Sequence, residues 1–158
     1  KESTHELNGF SHAPMIEVAT LFIGIFITMI PALIFLKIHG SQLGIHAPWQ
    51  LFWATGLLSS FLDNTPTYLV FLQTAGAIGS TTGIATSVGT VSHAMLEAVS
   101  AGAVFMGANT YIGNAPNFMV KAIAEENGIR MPSFFGYMGW SAAILVPTFI
   151  IDTVIFFF

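Results

Sequence analysis

Asp63, Asn64, Thr65, Pro66 and Thr67 form a polar, proline-containing string between Leu57-Leu58 and Tyr68-Leu69-Val70-Phe71-Leu72. A carboxylate in the middle of a membrane-buried run costs about 3 kcal/mol on insertion scales, so it is expected to face a cavity, a proton path or an ion. Asp63 can hold a cation or exchange a proton, and Asn64 and Thr65 can supply neutral oxygen ligands. The same residue types also cap helices and make turns, which is the bland reading of all three. A second string of this kind, Gly113-Asn114-Ala115-Pro116-Asn117, interrupts another apolar segment just before Phe118-Met119-Val120. Asn114 can cap and Pro116 suits a first helical turn. The N–H groups freed there carry partial positive charge and would point at the break.

The solvent around these strings follows from composition. Hydrophobic residues make up 54% of the chain and charged residues 8%, against roughly a quarter charged in ordinary soluble domains. The expected class is therefore an all-α integral membrane protein. Cysteine is absent, which removes disulfides, thiolate catalysis and cysteine metal sites. The net charge of −4 includes no basic cluster, so nucleic acid is not an expected partner. The histidines lack zinc-helix spacing. Asp63 has no second carboxylate at helical spacing and no Ser-His pair near it, which argues against an intramembrane enzyme.

The elements that must position the two strings can be read from apolar length. A first span is expected over residues 18–36, kinked at Pro31. The stretch Lys1 to Glu6 has neither a basic n-region nor a cleavage pattern, so it does not read as a signal peptide. Residues 49–76 split at Pro66 into two arms of about ten residues, each too short to cross a ~30 Å core, and so suggest a re-entrant hairpin. Pro66 is expected to start the second arm with Asn or Thr capping before it. Residues 77–92 are small and Gly/Thr/Ser-rich and read as a loop. Residues 93–127 read as one helix broken at Gly113 to Asn117 and stopped at Asn127-Gly128; residues 133–158 form a last span. The chain has 4 Lys and Arg residues. With Lys1, Lys121 and Arg130 on one side, the N-terminal end is expected to be cytoplasmic, and the expected location is the inner membrane of a bacterium.

Two broken elements in one half-sized unit fit the secondary-transporter pattern. The strings Ser59-Ser60-Phe61-Leu62-Asp63-Asn64-Thr65-Pro66-Thr67-Tyr68 and Tyr111-Ile112-Gly113-Asn114-Ala115-Pro116-Asn117-Phe118 resemble the C-terminal half of ion transporter superfamily proteins. That group includes citrate-transporter-like proteins, NhaD-type sodium/proton antiporters, arsenite permeases and sodium-coupled dicarboxylate transporters. The resemblance implies one inverted-repeat half, with a hairpin tip at Asn64-Thr65 and an unwound helix from Gly113 to Asn117. It also implies a missing N-terminal repeat of the same protein and homodimerisation as in relatives. Dicarboxylate carriers of the group usually have Ser before Asn-Thr, where this chain has Asp63, and that departure favours a cation over an anion.

The function expected first is sodium/proton antiport by alternating access. Na+ would be held by Asp63, Asn64 and backbone carbonyls at both breaks, with H+ competing for Asp63 and with Asn114 and Asn117 as neutral ligands. No cofactor is expected beyond Na+ and H+ as coupling ions. The alternative is a symporter for citrate or another carboxylate, with the anion at the half-helix start after Asn114; an alternative of another class is a non-transporting structural subunit. Among the remaining polar residues, Asn109 and Thr110 are expected to bond across helices, and Glu97 and Asp152 to lie at interfaces. His93 is expected to begin a helix, and Trp49, Trp53, Trp140 and Tyr137 to anchor in the interface of the bilayer.

Overall fold

The computed structural model describes residues 13–158. Lys1 as a topological charge, and the reading of Lys1 to Glu6, lie outside the described residues. Helix α1, Ala13–His39, runs through Pro31 and ends in a 3-10 turn, Gly40–Leu43. The apolar stretch Ile23–Leu43 and the last helix, α6 (Phe134–Phe156), are each long and apolar enough to cross a bilayer. Both are largely exposed, as helices facing lipid must be. Their hydroxyls are satisfied inside the helix: Thr28 donates to the Gly24 carbonyl (2.9 Å) and Thr148 to the Ile144 carbonyl (2.9 Å). That is the arrangement expected of a hydroxyl in a solvent offering no hydrogen bonds.

The second apolar run does split. Helices α2 (Pro48–Ser59, 12 residues) and α3 (Asn64–Ile78, 15 residues) are joined by residues 60–63. At 1.5 Å per residue they are about 18 and 22 Å long, each short of a ~30 Å core. Pro48 sits in the first turn of α2, and the Gln50 side chain accepts from the His46 and Ala47 amides, which fixes where that helix begins. In α3 the cap position belongs to Asp63, ahead of the expected Asn64 or Thr65, so Pro66 lies within the first turn and not at its first residue, a place where a missing N–H still costs nothing.

Residues 77–92 are not simply a loop. Ala77 and Ile78 complete α3, and strands β1 (Ile84–Thr86) and β2 (Gly89–Val91) form a small antiparallel hairpin with Ile84 opposite Val91. The fold is therefore mostly, not wholly, α-helical. Val88, in the turn of this hairpin, lies on Gly76 so closely that a Cβ there would sit 2.6 Å from its side chain, so the hairpin clamps the end of α3.

Helix α4 (His93–Phe105) starts at His93, capped by the Ser92 hydroxyl, which accepts from Met95 N–H (3.3 Å). It packs most extensively on α2. The contact depends on Gly102, where a Cβ would stand 2.5 Å from the Phe52 carbonyl oxygen. Around it lies the core of Leu51, Phe52, Ala75, Val91, Ala98, Val99, Met106 and Phe149. The break in the third apolar segment begins earlier than Gly113. After Phe105 the chain tightens to a 3-10 turn, Met106–Asn109, becomes extended at Thr110 and Asn114, and resumes as α5 (Ala115–Glu126). Asn114 is the cap of α5 and Pro116 lies in its first turn, as expected. The helix stops at Asn127, with Gly128 at φ 78°, a left-handed conformation that suits glycine.

Candidate functional site

The hairpin tip and the helix break meet. Unwinding after Phe105 strips backbone carbonyls of their helical partners, and where such groups are buried they must be met by protein. Side chains from other elements meet them one by one. The Ser59 hydroxyl, at the end of α2, donates to the Ala103 carbonyl. The Ser60 hydroxyl donates to the Met106 carbonyl (3.0 Å) and accepts from the Asn109 amide (3.0 Å). Asn117 reaches back from α5 and donates to the carbonyls of Gly107 and Thr110, both at 3.1 Å. Tyr137 of α6 donates to the Ala108 carbonyl at 3.0 Å. Thr110 closes the loop on itself: its hydroxyl donates to the Ser60 carbonyl and accepts from the amides of Ile112 (3.2 Å) and Gly113 (3.0 Å).

Asn64 sits at the centre of this junction. Its hydrogen-bond surroundings fix the amide orientation with nitrogen toward the acceptors. Nδ2 then reaches the Ala103 carbonyl (2.8 Å), the Ser59 hydroxyl (3.0 Å) and the Gly113 carbonyl (3.2 Å). One side chain thus ties the start of α3 to the end of α4 and to the turn before α5. The approach needs two glycines without side chains. A Cβ on Gly107 would stand 2.5 Å from the Asn64 amide, and one on Gly113 would meet the Gly107, Ser59 and Ser60 carbonyl oxygens at 2.6 to 2.8 Å.

The expected site residues therefore divide. Asn64, Gly113 and Asn117 form the junction itself, and the carbonyls near them already accept bonds from protein. The Thr67 hydroxyl bonds back to the Asp63 carbonyl (3.0 Å), and Pro66 is buried, so these two serve the turn. Asp63 and Asn114 are half-buried and Thr65 is exposed; none of their side chains hydrogen-bonds to a described residue. Gly113 is buried; for Ala115 only its place at the start of α5 is described. Neither Asp63 nor Asn114 caps with its side chain, so the Asn64 and Thr65 amides at the start of α3 have no side-chain cap, whereas in α5 Pro116 carries no N–H and the Asn117 amide donates to the Asn114 carbonyl (3.0 Å). Helix starts of this kind attract negative charge, each by about 0.3–1 kcal/mol at exposed sites and up to about 2 kcal/mol when partly buried.

A family match decides what kind of protein carries this arrangement: residues 1–157 fit the family described as "Putative citrate transport" (CitMHS_2). The chain belongs to that citrate-transport family. No curated protein and no solved structure matches it. As a member of the citrate-transport family with two apolar membrane-length helices, it is an integral membrane protein of a transporter class.

Several junction residues of this citrate-transport family member do not stand out in its sequence. Ser59 and Ser60 are visible there only as part of a string, yet they satisfy two carbonyls of the break. The signal available is a pair of hydroxyls closing an apolar half-helix, a place where Ser60 can also bond back to the Gly56 carbonyl (2.9 Å). Two assignments need correction. Tyr137 is a bond donor to the break, and Trp53 donates Nε1–H to the Thr153 hydroxyl (3.0 Å), linking α2 to α6; neither is simply an interfacial anchor. Tyr111 completes a reciprocal arrangement. Its hydroxyl donates to the Pro132 carbonyl (3.1 Å) while its ring stacks on Tyr137 with centroids 4.2 Å apart. Asn109 and Thr110 bond across helices as expected. Glu97 and Asp152 both line an apolar cleft of about 340 Å³ away from the junction. Among the described residues no group of three His, Cys, Asp or Glu side chains could hold a metal ion.

Proposed function

We propose that the protein moves a citrate-class carboxylate by alternating access, with the anion bound over the Asn64–Gly113 junction and a cation or proton on Asp63. The observation that carries this reading is the meeting of two uncapped helix starts, α3 and α5, tied together through the Asn64 amide. Each start favours a negative group, and family membership supplies the anion class. A fixed negative charge at Asp63 would oppose that anion unless neutralised. Coupling follows from this: Na+ or H+ on Asp63 removes the repulsion, so cation and carboxylate favour each other's binding. Asn114 and Thr65, whose side chains have no described partner, are placed to contact the anion.

The hairpin and the broken helix make one half of such a site. On this reading the opposing half comes from an N-terminal repeat of the same protein, and the assembled transporter lies in a bacterial inner membrane as a homodimer. Sodium/proton antiport without an organic substrate is the second reading. It is favoured by the Asp63 carboxylate, which is half-buried and whose side chain hydrogen-bonds to no described residue.

Proteoliposomes containing the full-length protein separate the two. The first reading expects labelled citrate uptake that responds to a sodium or pH gradient, and expects Asp63→Asn to lose that gradient dependence. Sodium-driven proton movement with no citrate uptake would establish the second reading instead. Gradient dependence unchanged in Asp63→Asn would remove Asp63 from both.

A further inference from the structure

Beneath the hairpin tip, between α3 and α4, lies a cavity of about 360 Å³ lined by Asn64, Thr65, Tyr68, Ser100, Ala103 and Val104. It shares Asn64 with the junction but extends away from it by one helical turn. Tyr68 follows Asn64 by four residues and so stands on the same face of α3, while Ser100 precedes Ala103 by three on α4. Apart from the Asn64 amide, which is committed to the junction, the polar side chains here are hydroxyls. Neither the Tyr68 nor the Thr65 hydroxyl bonds to a described residue, whereas the Ser100 hydroxyl donates to the Leu96 carbonyl (2.7 Å) and keeps its acceptor lone pairs. The wall thus offers two uncommitted hydroxyls and one further acceptor, and among the described residues no Lys, Arg or His lines it.

That set discriminates between substrate groups. A carboxylate pressed into it would lose hydration without gaining an opposite charge, whereas a neutral hydroxyl would find both donors and acceptors. We infer that this cavity is a subsite for the hydroxyl of a hydroxycarboxylate, with Tyr68 as the specificity-determining residue that touches it and Ser100 as its acceptor. The inference rests on the carboxylate reading above. It adds a ranking: substrates bearing a hydroxyl beside the carboxylates are preferred over otherwise identical ones lacking it. A site arranged to bond a substrate hydroxyl rejects the analogue without one, because its own polar groups are then left unpaired.

The test uses full-length protein in proteoliposomes, with labelled citrate uptake measured against unlabelled tricarballylate, which has the three carboxylates and lacks the hydroxyl. Wild type is expected to prefer citrate by roughly tenfold, the value of one well-placed hydrogen bond. Tyr68→Phe is expected to raise the citrate KM by about that factor, to leave kcat within about twofold, and to leave inhibition by tricarballylate unchanged. Ser100→Ala is expected to lower the preference in the same direction and provides the check if Tyr68→Phe accumulates poorly. Citrate uptake with the full preference retained in both variants overturns the subsite while leaving the carboxylate reading intact. A wild type that neither takes up citrate nor binds tricarballylate overturns the carboxylate reading and the subsite with it.

Discussion

Gly113→Ala tests the junction more directly than any change to a polar group. The added methyl would lie 2.6 Å from the Gly107 carbonyl oxygen and 2.8 Å from those of Ser59 and Ser60, where ordinary contact begins at 3.4 Å. All three neighbours are backbone atoms, so no side chain can swing aside. The tip and the break must separate by several tenths of an ångström, an overpacking cost of about 2–3 kcal/mol. The bond from Thr110 to the Ser60 carbonyl lies in the same gap, and weakening it adds about 1 kcal/mol. For a chain of this size each kcal/mol lowers the melting temperature by about 2–4 °C. The detergent-solubilised protein is therefore expected to melt roughly 6–16 °C lower, measured by heating followed by size-exclusion recovery. Gly139→Ala is the matched control. It is a helical glycine with nothing within 4 Å of its added Cβ, so it should hold or slightly raise the melting temperature. Gly113→Ala melting within about 1 °C of wild type would refute the claim that the tip and the break are in backbone contact.

Three further outcomes are expected. Asn64→Asp puts a carboxylate against the Ala103 and Gly113 carbonyls in place of a donor, and should cost about 2–3 kcal/mol, more than Asn64→Ala; the order of the two melting temperatures checks it. Ser60→Ala removes both the donor to the Met106 carbonyl and the acceptor for Asn109, whose Oδ1 is already buried without a partner, and should cost about 1–3 kcal/mol in the same assay. Lys121→Met breaks the 2.7 Å pair with Glu125, where the two side chains are 23% and 45% exposed; solvent screening holds the loss below about 1 kcal/mol, and a melting shift above about 4 °C would contradict that.

The polar tips are legible in the sequence because proline, asparagine and glycine grouped inside an apolar run leave a helix without donors, without side-chain packing or without a fixed backbone, and so break it. Pro66 lies in the first turn of α3, just after the 60–63 turn that separates it from α2, and Asn114 with Pro116 supplies the cap and first turn of α5. The other end of that break is hidden. Val104-Phe105-Met106-Gly107-Ala108 continues an apolar helical pattern, and what ends α4 at Phe105 is tertiary: Ser59, Ser60, Asn117 and Tyr137 take up the carbonyls that unwinding releases. The strands at 84–91 are hidden for a related reason. Their residues are small and weakly patterned, and the hairpin packs through Val88 against Gly76. Trp53 and Tyr137 look like bilayer anchors in the sequence since aromatic type alone cannot reveal a partner 100 or 29 positions away. That the two strings share one site is expected from the sequence and its family resemblance, but the contact that joins them, Asn64 with the Gly113 carbonyl, is visible only in space.

The stacked Tyr111–Tyr137 pair limits how this chain can move. Tyr137, in the first turn of α6, bonds to the Ala108 carbonyl of the unwound segment, and Tyr111 of that segment bonds to the Pro132 carbonyl just before α6, so the two are cross-locked. Sliding one past the other breaks two hydroxyl-to-carbonyl bonds and a ring stack together, about 2–4 kcal/mol in all, which holds the slipped state below a few per cent of molecules. Under the proposed alternating access, moving the break is cheaper if α6 travels with it as a single lever, and that proposal then assigns the last helix to the moving part and not to the frame.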